Sequence, residues 1–147
     1  MKLDFFDDFQ DPYLKTKTGK GVFLSGLVLG MLARVQAGKG ALDSAPMFKQ
    51  IYFGRMQRRD LLRHLSRLPH LTRVYSIEHK NAEMLEDLCK EAGRFLLEGE
   101  SRELGVDGNF AFSIAFLNAP DYFFGRVFKK QDTEEQKNKK EGNENGI

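Results

Sequence analysis

Cysteine is nearly absent from this chain, which has Cys89 alone among 147 residues and therefore no internal disulfide. A single free thiol is typical of proteins from a reducing compartment. The chain also lacks the positively charged start of an export signal, because Asp4, Asp7 and Asp8 make its first residues acidic. The longest apolar run, residues 22–33, is shorter than the ~20 residues that cross a bilayer. We therefore expect a cytoplasmic protein without membrane contact.

The sequence also lacks the usual residue clusters of catalytic and metal sites. His64, His70 and His79 do not have the spacing of metal ligands, and neither Cys-x-x-Cys nor His-Glu-x-x-His occurs. Cys89 falls on the apolar stripe of a predicted helix, which indicates a small core residue rather than a nucleophile. We therefore expect no enzyme activity, no metal and no cofactor.

The net charge is small, but the charges are unevenly distributed along the chain. The net charge is +2, yet residues 44–73 contain seven basic side chains and one acid, a net of +6. Residues 78–107 contain nine acids and four bases, a net of −5. A chain with one positive and one negative segment is suited to a polyanion or to an oppositely charged partner. The same asymmetry would let copies of the chain associate head to tail.

Apolar residues recur with helical spacing through most of the chain. The sequence predicts an all-α fold, a single compact bundle of about four to six helices that occupies residues 1–128. Residues 129–147 have five bases, five acids and no large apolar side chain before Ile147, which predicts a disordered polar tail. The predicted helices cover residues 21–37, 44–53, 56–68, 81–98 and 107–128, with a weak strand candidate at 72–77.

Several residues predict where these helices begin, end and pack. Pro69 should end the third helix and Pro120 should kink or break the last one. Residues 110–117 are apolar on almost every side, and the phenylalanines from 110 to 128 are therefore expected in the core. The expected N-terminal caps are Asp43 or Ser44, Asn81 and Asp107.

Small side chains form a row in the first predicted helix. Gly26, Gly30, Ala33 and Ala37 follow one another at spacings of three or four residues. Glycine inside a helix costs about 1 kcal/mol relative to alanine, so such a row needs a compensating contact. It predicts that another helix crosses close to the backbone at this point.

The feature most suggestive of function is a row of arginines. Arg55, Arg59, Arg63 and Arg67 recur every four residues, opposite the apolar side chains of the same predicted helix. Guanidinium groups bind phosphates bidentately, and backbone binding of this kind does not depend on base sequence. Two alternatives are an acidic protein partner and a simply solvated helix face. The predicted nucleic-acid contacts are Lys20, Lys49, Arg55, Arg58, Arg59, Arg63 and Arg67.

A second, weaker signal lies before the first predicted helix. Residues 18–21, Thr-Gly-Lys-Gly, are similar to the end of a phosphate-binding loop, but the leading glycine and the hydroxyl residue after the lysine are missing. A nucleotide site is therefore not expected. A helix N-terminus with lysines beside a nucleic-acid backbone stays open as an interpretation.

Several runs of residues resemble one known family. They are GVFLSGLVLG at 21–30 with Gln36, PMFKQIYFG at 46–54, Met56, DLLR at 60–63 and the aromatic segment 110–128. Together they resemble the C-terminal region of the large subunit of type I-B CRISPR Cascade. In these systems that region is also made separately as a small subunit, and the present chain is similar to that small subunit.

The resemblance implies a helical, non-catalytic subunit that lies in several copies along the inner side of a crRNA-guided complex. Its implied partners are the large subunit, the backbone subunits, further copies of itself, and the crRNA–target DNA heteroduplex or the displaced strand. The predicted helical fold, the lack of a catalytic cluster and the basic helix face agree with that role, since base pairing by the guide already supplies sequence specificity. The alternative is a helical adaptor whose arginines dock an acidic protein.

Overall fold

The computed structural model describes residues 1–128, and within them all regular structure is helical, as predicted. There is no strand in that range; residues 72–77, the strand candidate, belong to the end of a helix and the turn after it. The predicted tail, residues 129–147, lies outside the described residues. The α-helices are α1 Lys17–Ala37, α2 Pro46–Gln50, α3 Arg58–Ser66, α4 Leu68–Val74, α5 His79–Glu98, α6 Gly105–Leu117 and α7 Ala119–Tyr122. Shorter 3₁₀ turns cover Asp4–Asp8, Pro12–Lys15 and Leu42–Ser44, and a π-helical turn covers Phe123–Val127.

Helix α1 is the centre of the domain and contacts α2, α3, α5, α6 and α7. It is 21 residues long, and its most apolar window has mean hydropathy 1.3, so by length and composition alone it could cross a membrane. The expectation that the apolar stretch is too short was therefore wrong, because the helix extends beyond residues 22–33 on both sides. However, 78% of that window is buried inside the protein, so packing against the other helices accounts for its apolar character.

The row of small residues lies at a close helix crossing, as predicted. A Cβ on Gly26 would lie 2.7 Å from the carbonyl oxygen of Phe112 in α6. A Cβ on Gly30 would overlap the carbonyl oxygen of Phe116 and lie 2.8 Å from the Cβ of Ala119. Gly21 makes the same kind of approach to α5, 2.8 Å from the amide nitrogen of Leu96. Three glycines of α1 therefore allow two neighbouring helices to touch its backbone.

The helix starts differ from the sequence-based expectations. Helix α1 begins four residues earlier than predicted, at Lys17, where Thr16 Oγ1 accepts a hydrogen bond from the Gly19 amide at 2.9 Å. Helix α2 has no side-chain cap at Asp43 or Ser44; instead the Met47 amide donates to Gln36 Oε1 of α1 at 2.7 Å. Helices α5 and α6 begin two residues before the expected caps Asn81 and Asp107. In α2, the free N–H is thus satisfied by tertiary contact rather than by its own cap.

The third predicted helix ends close to Pro69, as expected, but Pro69 itself begins the next helix. The predicted helix over 56–68 is α3, which ends at Ser66, and α4 follows after Arg67 alone. Pro69 occupies the first turn of α4, where a missing N–H costs no hydrogen bond and the fixed φ favours the helix. Pro120 occupies the same position in α7, so the predicted break of the last helix is confirmed.

Helix α6 lies at the surface, contrary to the expectation that it is buried all round. Phe112 and Phe116 are fully buried, while Val106 is 87% exposed and Phe110 is 65% exposed. Phe124, also expected in the core, is 49% exposed. Because α6 packs chiefly on α1, its other side is left open although the residues there are apolar.

The helix crossing predicts opposite effects for one substitution at two glycines. Gly30→Ala should lower the free energy of unfolding by about 1–3 kcal/mol, because the added methyl meets backbone of α6. Gly93→Ala in α5 is the matched control, since nothing lies within 4 Å of the added methyl. It should raise the same free energy by about 0.5–1 kcal/mol. Urea denaturation of both variants checks this, and a stabilised Gly30→Ala would contradict the crossing.

Candidate nucleic-acid interface

The start of α3 is fixed by hydrogen bonds on both sides. Within the helix, Asp60 accepts the Gln57 amide through Oδ2 at 2.9 Å, and the Gln57 side chain completes a capping box. From α6, the buried Asn109 accepts the Met56 amide through Oδ1 at 2.8 Å and donates to the Met56 carbonyl at 3.4 Å. Sequence reasoning missed Asn109, although a lone amide in an apolar helix needs a partner. The two sets of bonds hold α3 in a defined orientation against α6.

Helix α3 is amphipathic in the sense predicted. Leu61, Leu65 and the following Leu68 are buried, while Arg59 and Arg63 are exposed on the other side. A four-residue step along a helix is about 6 Å, so Arg59 and Arg63 start one turn apart. Arg67 follows as the C-terminal cap residue and keeps near-helical backbone angles, φ −87° and ψ −10°.

Arg55 is exposed but does not belong to the helix. It lies three residues before α3, so the predicted row of four on one helix is wrong at this position. Its amide donates to the Tyr52 carbonyl at 2.9 Å and closes a turn between α2 and α3. The arginine row is therefore built from two elements, a turn and a helix.

Arg63 and Arg67, also exposed members of the predicted row, make only surface contacts. Arg63 pairs with Asp60 Oδ1 at 3.3 Å with 67% of its side chain exposed. Arg67 donates to Gln50 Oε1 at 2.7 Å, which brings the end of α2 and the neighbouring exposed Lys49 beside α3. Exposed ion pairs contribute about 0–1 kcal/mol, so such a guanidinium can exchange its partner for a phosphate at little cost.

Two other predicted contacts are directed inward. Arg58 donates from one terminal nitrogen to the carbonyls of Leu96 at 3.4 Å and Gly99 at 3.3 Å. It thus supplies donors and positive charge to the C-terminal end of α5, where carbonyls lack helical partners. The Lys20 ammonium lies 5.8 Å from the ring centroid of Phe6 and 5.8 Å from that of Phe95. Both cations are committed within the fold, unlike the exposed ones.

The exposed cations form one surface, which we call the arginine face. In residues 1–128 the side chains of Arg55 and Arg59 have no hydrogen-bond or ion-pair partner. Asp60, the only acid of residues 44–73, is already engaged by the Gln57 amide and Arg63. The surface is therefore strongly positive. The arginine face consists of Lys49, Arg55, Arg59, Arg63 and Arg67.

Residues 18–21 do not form a phosphate-binding loop, because they lie inside α1 and three of them are buried. A cleft of about 460 Å³ does open beside the start of α1, but Glu98, Glu100 and Glu103 line it. Burial, with Asp107 and Asp11 nearby, raises the pKa of Tyr13 at its wall to about 12. An acidic cleft of this kind does not favour a phosphate.

Cys89 and His64 pack into the domain beside the arginine face. Cys89 Sγ lies 3.4 Å from the Leu65 carbonyl, and burial followed by Glu86 raises its pKa to about 11. Cys89 is half-buried and packs against the core, so its interpretation as a core residue is confirmed only in part. His64 is only 4% exposed, and burial, Arg63 and Arg67 lower its pKa. Its Nδ1 has no partner in the described part of the chain.

Comparison with known proteins identifies the family of this chain. The geometry defines an all-helical domain with one strongly cationic surface. Residues 2–137 match the family model described as CRISPR-associated protein TM1802 (cas_TM1802) C-terminal domain, and the chain belongs to this family. The CRISPR part of the resemblance is thereby confirmed. No curated protein and no solved structure matches the chain.

The burial of His64 predicts a pH dependence of stability. Its folded-state pKa lies below the ordinary 6.5, so the unfolded chain binds more protons as pH falls through that value. Acidification from about pH 7 to about pH 5 should therefore destabilise the wild-type protein more than His64→Gln. Thermal unfolding of both proteins across this range measures the difference. Parallel pH profiles would show that His64 titrates alike in both states.

Proposed function

We propose that this chain is a non-catalytic small subunit of a crRNA-guided type I CRISPR effector complex, of type I-B. It binds target or displaced DNA through the phosphate backbone and stabilises the assembled complex. Membership of a CRISPR-associated family supports the setting. The single observation that carries the binding claim is the arginine face, in which five exposed cations are accompanied by one acid.

The chemistry of the arginine face suits phosphate and not base edges. Arg55 and Arg59 are free to contact a ligand, and Arg63 needs only to leave an exposed ion pair. Each guanidinium can donate two hydrogen bonds to one phosphate, and the release of condensed counterions supplies much of the affinity. Such contacts position a strand without reading it. That suits a complex in which the guide RNA already selects the sequence.

The proposed partners follow from the charge distribution and the resemblance. Residues 44–73 carry a net of +6 and residues 78–107 a net of −5, so one copy can place its positive segment against the negative segment of the next. This contact would be weak and lost at high salt, because charges more than about 10 Å apart are already largely screened from each other at 0.1 M salt. The further proposed partners are the large and backbone Cascade subunits in the cytoplasm.

A second candidate function is a protein–protein adaptor. The exposed apolar side chains of α6, Val106, Phe110 and Leu117, favour it, because exposed apolar surface commonly marks a protein contact. In that case the arginine face would bind carboxylates of an acidic partner. DNA affinity at several salt concentrations separates the two functions.

Removal of two arginines should change the salt dependence of DNA binding. The double variant Arg59→Ala with Arg63→Ala removes two phosphate contacts and no core atoms, since both side chains are exposed. The slope of log K against log salt should become shallower by about 1.4 for single-stranded DNA or about 1.8 for duplex, at about 0.7 or 0.9 per contact. Fluorescence anisotropy at four salt concentrations gives both slopes.

The matched control removes two cations from the negative segment, residues 78–107. Lys90→Ala with Arg102→Ala changes the net charge equally, and both residues are exposed outside the arginine face. This control should keep the wild-type slope. If both double variants shift the slope equally, the effect reflects net charge and the arginine face is not the binding surface. If neither shifts it, while Arg59→Ala with Arg63→Ala loses a co-purifying protein, the adaptor function replaces the proposal.

A further inference from the structure

A short turn carries an exposed tyrosine into the arginine face. Residues 52–55 form a four-residue turn between α2 and α3, closed by the Arg55 amide and the Tyr52 carbonyl at 2.9 Å. Gly54 stands third in this turn with φ 86°, the positive value that this position of a type II turn requires. The two end residues of such a turn are close in space, so the side chains of Tyr52 and Arg55 start side by side.

The turn is anchored to the core through its neighbours. Phe53, its second residue, packs on Phe48 and Phe116 with ring centroids 5.3 and 5.4 Å apart. Ile51, directly before the turn, is 6% exposed, and Met56, directly after it, is 3% exposed. Met56 is also held by the Asn109 side chain. Residues before, within and after the turn are therefore fixed to the domain.

Tyr52 itself is 70% exposed, although everything around it is anchored. Its exposure thus follows from the geometry of a held turn and not from a loose loop. Cationic residues lie on both sides of Tyr52 in the sequence, Lys49 three residues before it and Arg55 three residues after it. Arg67 also comes near, because its side chain donates a hydrogen bond to Gln50, two residues before Tyr52. The other exposed aromatic side chains lie outside the arginine face: Phe110 on α6, Phe124 on the π-helical turn and the less exposed Tyr75 at the end of α4.

We propose that Tyr52 is a base-stacking residue and that the ligand of the arginine face is single-stranded nucleic acid. This inference rests on the proposed function and narrows it. An aromatic ring beside a positively charged track is the arrangement that holds single strands, because the track binds phosphates while the ring stacks on a base. In a duplex each base is already stacked on its neighbours, so a side chain on the outer surface finds no free ring face. Stacking of this kind accepts any base.

The absence of tryptophan from the sequence allows a direct optical test. Tyr52→Trp places the one tryptophan of the chain at the proposed stacking position, and its emission can be excited at wavelengths that the remaining tyrosines do not absorb. Titration with an oligothymidine strand should quench its emission, whereas an abasic strand of equal length and an equal-length duplex should not. Leu97→Trp is the control, because Leu97 is 67% exposed on α5 within the acidic segment. Its emission should not change with any of the three ligands.

Affinity measurements on single variants without the added tryptophan complete the test. Tyr52→Ala should weaken binding of the oligothymidine strand about ten-fold, the effect expected for one stacked base, and leave duplex binding unchanged. Tyr52→Phe should bind like wild type, because it keeps the ring and loses only the hydroxyl. The slope of log K against log salt should be the same in all three proteins, since no charge is removed. Equal melting temperatures confirm that the variants fold.

The outcomes separate this inference from the proposed function. If single-stranded, abasic and duplex ligands bind equally and Tyr52→Ala changes nothing, stacking is wrong while phosphate binding stands. If no nucleic acid binds at low salt, both proposals fail together. If Tyr52→Ala instead abolishes binding of an acidic protein and leaves DNA binding intact, Tyr52 belongs to a protein interface.

Discussion

The close approach of α1 to its neighbours is the constraint on which the rest of the structure depends. Gly26 and Gly30 let the backbone of α6 touch α1, and Gly21 does the same for α5. A side chain at any of these positions would push a helix away and open the core, which is densely packed around α1. Three glycines lower the intrinsic stability of the helix, and the close packing that they allow around α1 offsets this loss.

The proposed binding surface is set by this centre through α6. Helix α6 presents Asn109 to the backbone of Met56 and the rings of Phe112 and Phe116 to Phe53. Those contacts fix the turn and the start of α3, and so the positions of the cations that follow. A surface made of long, flexible arginine side chains therefore starts from a rigid backbone, which reduces the entropy lost on binding.

Helical periodicity predicted the fold class and the interior of long helices from the sequence. In α5 the expected stripe is present: Leu85, Leu88, Ala92 and Leu96 are buried, and Cys89, the fifth expected member, is half-buried. The glycine row likewise predicted the crossing, since nothing else compensates its cost. What periodicity could not predict is which helices lie outermost. Phe110 is apolar and yet 65% exposed, because α6 packs on α1 and on the segment before α3 and its remaining side is open.

The arginine face was likewise predicted from the sequence only in part. Spacing correctly predicted that Arg59 and Arg63 share the outer side of α3. It could not distinguish Arg58, which turns inward because the carbonyl end of α5 happens to lie within reach. It placed Arg55 on the helix because a four-residue step continues through a turn as readily as through a helix. Contacts between distant segments, such as Asn109 with Met56, decide these cases, and local spacing does not specify the two partners.

The central claim is that the arginine face is where nucleic acid lies, and chemical protection of the wild-type protein tests it most directly. Phenylglyoxal modifies accessible guanidinium groups, and peptide mass spectrometry reports the extent at each arginine with and without bound DNA. The account predicts protection at Arg55, Arg59, Arg63 and Arg67, and unchanged modification at Arg94 and Arg102. Bound DNA that leaves those four unprotected, or that protects Arg94 and Arg102 instead, would contradict it.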